Sequence, residues 1–411
     1  MYAQIPQGPP VFQPAQPPAR RAILCGTLID GKHDQPLKNV LLLLEGNTIA
    51  SVTVGARPPA GVPVIDLSHS TVLPGLIDVH THILFSDLVY ADQLLKESIP
   101  YRAVLAARNV QIALDDGFTT LRDLETEGAM YADVDVQTAI DRGMIPGPHL
   151  QVATRALAPS GMYPLLGYSW ELNLPHGAQV VDGVENARKA VREQIGNGAN
   201  WIKFYADHNY TFSLDDALHG IVNYTPEEAR AIVDEAHRLH TPVAAHAVSQ
   251  EGIQTALDAG VDSIEHGQGL TRTEMDEMAK KGIYWVPTIV ASAYASPGHT
   301  VNTRLVAKER AVFALALKAG VKIACGTDQS GFMWTAFSQA REIEFYVQYG
   351  MTAMQAIRSA TVTASQLLGW SDRVGSIEPG KRADIVAAAG NPLDNIAELE
   401  HIQFVMKDGV V

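Results

Sequence analysis

The stretch VLPGLIDVHTHI (residues 72–83) begins as a buried strand and ends with two histidines one residue apart. Because side chains alternate across a β-strand, His80 and His82 share a face with Leu76 and Asp78. Two neutral imidazoles on one face can donate their lone pairs to a single cation. Such a short motif also matches by chance, so a metal ligand pair and two ordinary strand histidines are both open at this point.

From residue 74 to about residue 368, the chain alternates apolar strands with amphipathic helices. About 290 residues of such alternation predict a (β/α)₈ TIM barrel, whose chemistry lies at the C-terminal ends of the strands. A doubly wound open sheet is the alternative, but no G-x-G-x-x-G motif follows any strand. The eight predicted strands are GLIDVHTH, GFTTLRDL, HLQVATRAL, WIKFYAD, PVAAHAVS, DSIEHGQG, IYWVPTIVA and VKIACGTDQ.

Both flanks of this barrel are rich in short strands and turns. We predict that residues 21–73 and 369–411 join in one small β-sandwich beside the barrel at residues 74–368. Residues 1–20 are rich in proline and glutamine, which predicts an extended arm. This arm contains no apolar signal core, yet it also resembles the stub of a cleaved signal peptide, so a cytoplasmic and a periplasmic or secreted location both stay open.

Composition narrows the choice of partners. The 411 residues include 31 Lys and Arg against 45 Asp and Glu, a formal net charge of −14. This balance argues against nucleic acid or an anionic membrane surface as a partner, and no apolar run is long enough to predict a membrane span. The two cysteines, Cys25 and Cys325, are too few for a disulfide scaffold, although a single bridge stays open. A small molecule is the expected substrate.

Side chains that commonly bind metals fall at the ends of five predicted barrel strands. A single histidine at a strand end is usually structural, but six such residues at one mouth predict a metal centre. The six residues are His80, His82, Lys203, His246, His266 and Asp328.

Lys203 is the unusual member of this set, because an ammonium group repels a cation. One interpretation is a lysine that extends inward and pairs with a carboxylate. The other is a neutral amine that has reacted with CO2, which gives a carboxylated lysine able to bridge two metals. The period of two along the strand places Lys203 inside the barrel, which favours the second interpretation.

The motifs PGLIDVHTHI, WIK, AAHA, IEHG and GTDQ together resemble the amidohydrolase superfamily. The segment ATVTASQLLGWSDRVGSIEPGKRADIV is typical of the return of that family into its β-sandwich. The resemblance covers the chain from about residue 21 onward. Within the superfamily, the chain is most similar to the binuclear, prolidase-like group, which includes ochratoxin-hydrolysing amidohydrolases.

The resemblance implies an amide-bond hydrolase of the carboxypeptidase or dipeptidase kind. Such an enzyme releases a C-terminal hydrophobic amino acid from N-acyl amino acids or dipeptides, for example phenylalanine from ochratoxin A, which leaves ochratoxin α. It also implies a homo-oligomer, with an octamer among the forms, and two divalent ions, with Zn²⁺ expected. The ligands carried over are His80, His82 and Asp328 for the more buried ion, His246 and His266 for the more exposed one, and carboxylated Lys203 as the bridge.

Further roles follow from the same resemblance. Asp328 would take a proton from the attacking water and later give it to the leaving amine. A tyrosine after the strand-four lysine would hold the oxyanion, with Tyr210 as first choice and Tyr205 as second, although each is as open to a packing role.

The substrate contacts are predicted from the loops around the mouth. Relatives carry a GGHG-like stretch after strand three, whereas this chain reads APSGMYPLLGYSW, with Met162 and Tyr163 near the expected histidine. His149 lies at the opposite end of its strand. Arg122 pairs with the neighbouring Asp123 or reaches a substrate carboxylate. Together with the aromatic residues of these loops, Trp334 in SGFMW predicts an apolar pocket wall.

Two other classes of function stay open. One is a mononuclear cyclic-amide hydrolase or deaminase on the same barrel; such members generally lack the strand-four lysine. The other is a non-catalytic metal-binding or assembly protein, and retention of a complete ligand set together with Asp328 argues against it.

Overall fold

Eighteen strands are present in the residues that the computed structural model describes, which are 16, 19–86, 89–162, 164–294 and 302–411. Of the predicted N-terminal arm, residues 1–15 and 17–18 lie outside them. The strands are β1 (Arg20–Leu28), β2 (Leu37–Glu45), β3 (Thr48–Val54), β4 (Val64–Pro74), β5 (Leu76–Thr81), β6 (Phe118–Asp123), β7 (His149–Val152), β8 (Leu157–Ala158), β9 (Gln179–Val180), β10 (Ile202–Tyr205), β11 (Asp207–Phe212), β12 (Leu218–Val222), β13 (Val243–Ala247), β14 (Ser263–His266), β15 (Tyr284–Val286), β16 (Lys322–Ile323), β17 (Ile385–Ala388) and β18 (Ile402–Met406).

Helices connect the strands of the central region. Thr225 and Thr271 each begin a helix with a capping box, in which the threonine hydroxyl and a glutamate three residues later satisfy main-chain N–H groups. Among the described residues, no helix has the length and apolarity needed to cross a membrane. The helices are α1 (Tyr90–Lys96), α2 (Ile99–Asp115), α3 (Ala132–Asp141), α4 (Val184–Gly196), α5 (Pro226–Arg238), α6 (Gln250–Ala259), α7 (Arg272–Lys281), α8 (Ile289–Ala293), α9 (Thr303–Ala319), α10 (Met333–Ala336), α11 (Arg341–Gln348), α12 (Ala353–Ser359) and α13 (Val362–Leu367), with a 3₁₀-helix at Ile396–Glu400.

Eight parallel strands form the barrel. Ladders join β5 to β6 to β7, and β10 to β13 to β14 to β15 to β16. Main-chain hydrogen bonds link the two groups, from Trp201 N to Val152 O at 3.2 Å and from Val79 N to Cys325 O at 2.9 Å. The predicted (β/α)₈ barrel is therefore confirmed, and the open-sheet alternative is wrong.

The two ends of the chain pair with each other, as predicted. Strands β17 and β18 from the C-terminal end continue a sheet of β4, β1, β2 and β3, so hydrogen bonds connect six strands into one mixed sheet. Ile23, Leu42 and Ile385 are part of its buried core. Cys25 in this sheet and Cys325 in the barrel are both buried and free, so no disulfide joins them.

A glycine joins this sheet to the barrel. Gly75 separates β4 from β5, and a Cβ atom at this position would lie 2.0 Å from the Thr119 hydroxyl oxygen. Only glycine allows the chain to pass this close to β6. The first barrel strand therefore starts at a fixed point, and His80 and His82 follow Gly75 by five and seven residues.

Candidate metal centre

The C-terminal ends of the barrel strands bring the predicted histidine ligands together. The ring centroids of His80 and His82 are 5.4 Å apart, those of His80 and His266 are 5.0 Å apart, and those of His246 and His266 are 4.5 Å apart. Asp328 completes the group, because its Oδ1 lies 3.0 Å from His82 Nε2 and 3.6 Å from His80 Nε2.

Two of these residues have a strained backbone conformation. His266 has φ 71° and Asp328 has φ 60°, in the left-handed region that non-glycine residues seldom adopt. Such strain is characteristic of functional sites, where the surrounding structure holds a side chain in place. Gly326 allows the chain before Asp328 to pass beside His80, since an added Cβ would lie 2.8 Å from His80 Cβ.

His80 has one ring nitrogen that the protein satisfies and one that it does not. Its Nδ1 lies 2.7 Å from Glu265 Oε2, whereas its Nε2 is buried without a hydrogen-bond partner among the described residues. An unsatisfied buried nitrogen is costly, and a metal-binding histidine typically has its other ring nitrogen bonded to a carboxylate or carbonyl. One ligand atom each of His80, His266 and Asp328 lies within 4.8 Å of the other two. These residues fit a divalent cation.

The electrostatics keep His80, His246 and Asp328 in the form that binds metals. Burial, together with the nearby Lys203, lowers the pKa of His80 to about 4 and that of His246 to about 3, so both imidazoles are neutral at pH 7. Burial alone would raise the pKa of Asp328, but the hydrogen bond with His82 and the other histidines hold it well below its usual range.

Lys203 lies among these ligands on β10. Its Nζ is 5.9 Å from the Tyr205 ring centroid, and burial lowers the pKa of its ammonium group. Within the described part of the chain, no carboxylate forms an ion pair with it. The interpretation of Lys203 as one half of an ion pair therefore finds no partner in the structure.

Arg122 lies beneath the ligands rather than in the mouth. Its guanidinium group donates to Glu265 Oε1 at 2.9 Å and stacks 4.3 Å above the Trp201 ring. It is fully buried, and its acidic partner is Glu265 rather than Asp123. The placement contradicts the prediction that Arg122 contacts substrate, because strand alternation turns it into the barrel interior at a level below the mouth.

Glu265 is a residue that the sequence analysis missed. It bonds His80 on one side and Arg122 on the other, and it is fully buried. Burial raises the pKa of its carboxyl group, but Arg122 and His80 lower it to about 2, so Glu265 is a carboxylate that orients His80. Its position directly before His266 in the motif IEHG was the available signal.

A cavity of about 220 Å³ opens over these residues. Tyr205 lines it and donates its hydroxyl hydrogen bond to Glu125. Tyr210 lies on the hairpin β11–β12, with its hydroxyl group against His246 Nε2. The lining residues are His80, His82, Phe85, Tyr90, Glu127, Lys203, Tyr205, His246, His266, Asp328 and Ser330.

The other predicted substrate contacts that the structure describes do not line this cavity. Met162 is buried against Tyr205, and Trp334 is only 2% exposed, with its indole nitrogen 3.4 Å from the carbonyl oxygen of His82. Both pack behind residues that line the cavity, which contradicts their prediction as substrate contacts. Tyr163 lies outside the described residues. Trp170, from the loop predicted as an apolar wall, is 91% exposed.

Two acidic residues at the end of β6 were also missed. Glu127 lines the cavity, and Glu125 lies beside it. Burial, and for Glu127 the neighbouring Glu125, raise the pKa of Glu125 to about 7 and that of Glu127 to about 8. The signal was the pair of carboxylates in TTLRDLETEG, directly after a barrel strand.

Comparison with known proteins identifies the family. The model of the amidohydrolase family matches residues 71–411. The chain belongs to the amidohydrolase family. This family generally uses divalent metals, and the protein is a metal-dependent hydrolase that acts on amide bonds.

Individual relatives agree with this assignment. The ochratoxinase of Aspergillus niger is 33% identical over 414 residues, which cover 91% of this chain and 82% of that protein. The crystal structure of the A. niger ochratoxinase matches with a TM-score of 0.80 and 28% identity over 95% of this chain and 94% of the other. A Xaa-Pro dipeptidase with methionine bound in its active site matches with a TM-score of 0.84 and 33% identity over 95% and 99% of the two chains.

Proposed function

We propose that this protein is a binuclear hydrolase that releases a C-terminal hydrophobic amino acid from N-acyl amino acids or dipeptides. Zn²⁺ is the proposed metal. The observation that carries the proposal is the position of Lys203, which is buried among four histidines and Asp328 and has no carboxylate partner in the described residues.

Lys203 would act after carboxylation. Because burial disfavours its ammonium form, the neutral amine is available to attack CO2, which forms an N–C bond and releases a proton. The product is a carboxylate whose two oxygens can bind two cations. It would lie between His80, His82 and Asp328 on one side and the remaining two histidines on the other.

The protein's own groups would then move protons and stabilise charge. When bound, two divalent ions supply Lewis acidity that polarises the scissile carbonyl and acidifies a water molecule. Asp328 accepts the proton of the attacking water and donates it to the leaving amine nitrogen. The Tyr205 hydroxyl donates a hydrogen bond to Glu125, whereas the Tyr210 hydroxyl lies against His246 Nε2, a proposed metal ligand, so Tyr210 is the proposed donor for the oxyanion.

The relatives support the substrate class. A dipeptidase and an ochratoxinase are among them. A dipeptide and ochratoxin A share an amide bond to an amino acid with a free carboxylate, and in ochratoxin A that amino acid is phenylalanine. Phe85, Tyr90 and Tyr205 supply the apolar part of the cavity wall, which suits a hydrophobic side chain.

The test is a comparison of three substrates by metal-loaded protein of measured metal content. We expect N-benzoyl-phenylalanine to be hydrolysed with a kcat/KM at least about tenfold above those of its C-terminal amide and of N-benzoyl-glycine. Two metal ions per chain are expected. Equal rates on all three compounds would refute the proposed specificity, and full activity with one ion per chain would favour the mononuclear cyclic-amide hydrolase or deaminase instead.

A further inference from the structure

The wall of the cavity on the β6 side is acidic. Glu127 lines the cavity, is 7% exposed and has its Oε1 3.5 Å from His82 Nδ1. Glu125 is buried beside it and accepts the hydrogen bond of Tyr205. The backbone of Glu127 has φ 51°, in the left-handed region, so the turn after β6 holds this side chain in an unfavourable backbone conformation.

Positive charge lies near this wall without pairing with it, Arg102 near Glu127 and Lys203 near Glu125. Among the described residues, neither Glu125 nor Glu127 forms an ion pair with a lysine or an arginine. Arg102 lies close to them, but its guanidinium group donates to main-chain carbonyl oxygens, those of Leu84 at 2.9 Å, Thr126 at 2.7 Å and Glu127 at 2.8 Å. Buried carboxyl groups beside a cavity, with no ion pair to a lysine or an arginine in the described residues, suit a cationic group of the substrate.

We propose, on the basis of the function proposed above, that Glu127 binds the free α-ammonium group of a dipeptide substrate, with Glu125 behind it. In a dipeptide, a single carbon atom separates the α-amino nitrogen from the scissile carbonyl carbon, so the ammonium group must lie against the wall of the metal-site cavity. Two acidic side chains line that cavity, and Asp328 is bonded to the histidines. Glu127 is the other.

This assignment also orients the substrate. The N-terminal residue lies on the side of Glu127 and Tyr90, and the released C-terminal residue lies towards the hairpin β11–β12, where Tyr210 contacts His246. The enzyme then prefers dipeptides with a free amino group over N-acyl amino acids of the same shape. Glu127 is thus a specificity-determining residue of the site.

A simpler role for Glu127 is to orient His82, whose Nδ1 it approaches. The two roles make different predictions. A residue that only orients a metal ligand affects every substrate equally and lowers the metal content. A residue that binds an ammonium group affects only substrates that carry one.

The experiment compares alanyl-phenylalanine with propionyl-phenylalanine, which differ only by the ammonium group. We expect wild-type protein to favour the dipeptide, and Glu127→Gln to lower the ratio of the two kcat/KM values by about 10- to 100-fold, mainly through KM for the dipeptide. Metal bound per chain is measured in every sample. Glu185→Gln, at an exposed position of α4, is the matched control and should keep the wild-type ratio.

The outcomes separate the two proposals. A wild-type preference for propionyl-phenylalanine, or a Glu127→Gln variant that slows both compounds equally, would overturn the ammonium site and leave the amide hydrolase in place. If metal-loaded wild type cleaves neither compound, the proposed function fails, and the ammonium site with it. Should Glu127→Gln fail to fold, Glu125→Gln is the second variant, and it must lower the ratio in the same direction.

Discussion

Histidines and carboxylates cluster at both ends of the barrel strands, and the two clusters differ in one respect. The mouth holds His80, His266 and Asp328, whereas His149 at the start of β7 meets Asp384 and Asp408 at the opposite end. In both clusters the ligand-type atoms lie within 4.8 Å of one another. Proximity alone therefore does not distinguish a metal centre from a structural ion pair.

The difference lies in the bonds that the protein itself satisfies. At the lower end, His149 Nε2 lies 3.0 Å from Asp384 Oδ2, Asp408 N donates to Asp384 Oδ1 at 2.8 Å, and Arg382 pairs with Asp408. In the mouth, His80 Nε2 is buried without a partner among the described residues. This buried nitrogen, which no hydrogen bond satisfies in the described residues, marks the mouth as a site for a cation.

The strongest test of this contrast is the removal of Lys203. If its carboxylated form bridges two ions, Lys203→Ala loses most of the metal and at least about 1000-fold in turnover, or about 4 kcal/mol in activation free energy. Formate or acetate should restore part of the activity, because a short carboxylate can occupy the vacated space. Metal analysis and turnover on the same sample provide the measurement.

A matched control for this variant is Lys281→Ala, which removes a half-exposed lysine that pairs with Glu277. It should keep wild-type metal content and turnover. A Lys203→Ala protein that holds two ions and remains fully active would rule out the bridge.

The second test uses the metal-free protein. Burial lowers the pKa of His80 from 6.5 to about 4, so below pH 6.5 the unfolded chain binds more protons than the folded one. The contribution of His80 to the free energy of unfolding should therefore fall by about 2 kcal/mol as the pH is lowered from 7 to 5, and the difference between the wild type and His80→Asn isolates it. Urea unfolding in the presence of a chelator measures it.

His80→Asn should flatten this pH dependence, since asparagine does not titrate. If His80→Asn has the same dependence of the unfolding free energy on pH as the metal-free wild type, the neutral buried state of His80 is wrong.

The convergence of these side chains at the mouth could be predicted from the sequence because the chemistry of a barrel lies at recognisable positions. His80 and His82 have the period of a strand, and His246, His266 and Asp328 each lie at the end of a predicted strand. The pairing of the two chain ends was predictable for a similar reason, since their short strands differ in pattern from the region between them.

Depth and loop direction could not be predicted in the same way. The period of two places Arg122 inside the barrel, but it does not say that Glu265 binds it below the mouth. Trp334 follows β16 in a segment that folds back behind His82, and this depends on tertiary packing. The proposed role of Glu127 depends on a left-handed backbone conformation. The sequence does not predict this conformation at a non-glycine residue.

The smallest expected effect concerns the lower cluster of His149, Asp384 and Asp408. If this cluster is a structural ion pair, its variants should change stability and leave metal binding unchanged. His149 is the first residue of β7, and it bonds Asp384, which directly precedes β17. The pair therefore connects the barrel to the six-stranded sheet. Burial alone would raise the pKa of Asp384, but His149 lowers it.

His149→Gln should reduce the free energy of unfolding by about 1–3 kcal/mol, because it leaves a buried carboxylate with a weaker partner. Combined with Asp384→Asn, the loss should be smaller than the sum of the two single losses. Metal content should equal that of the wild type in all three variants, and loss of metal from His149→Gln alone would show that the lower cluster is itself a metal site or that the two ends are coupled.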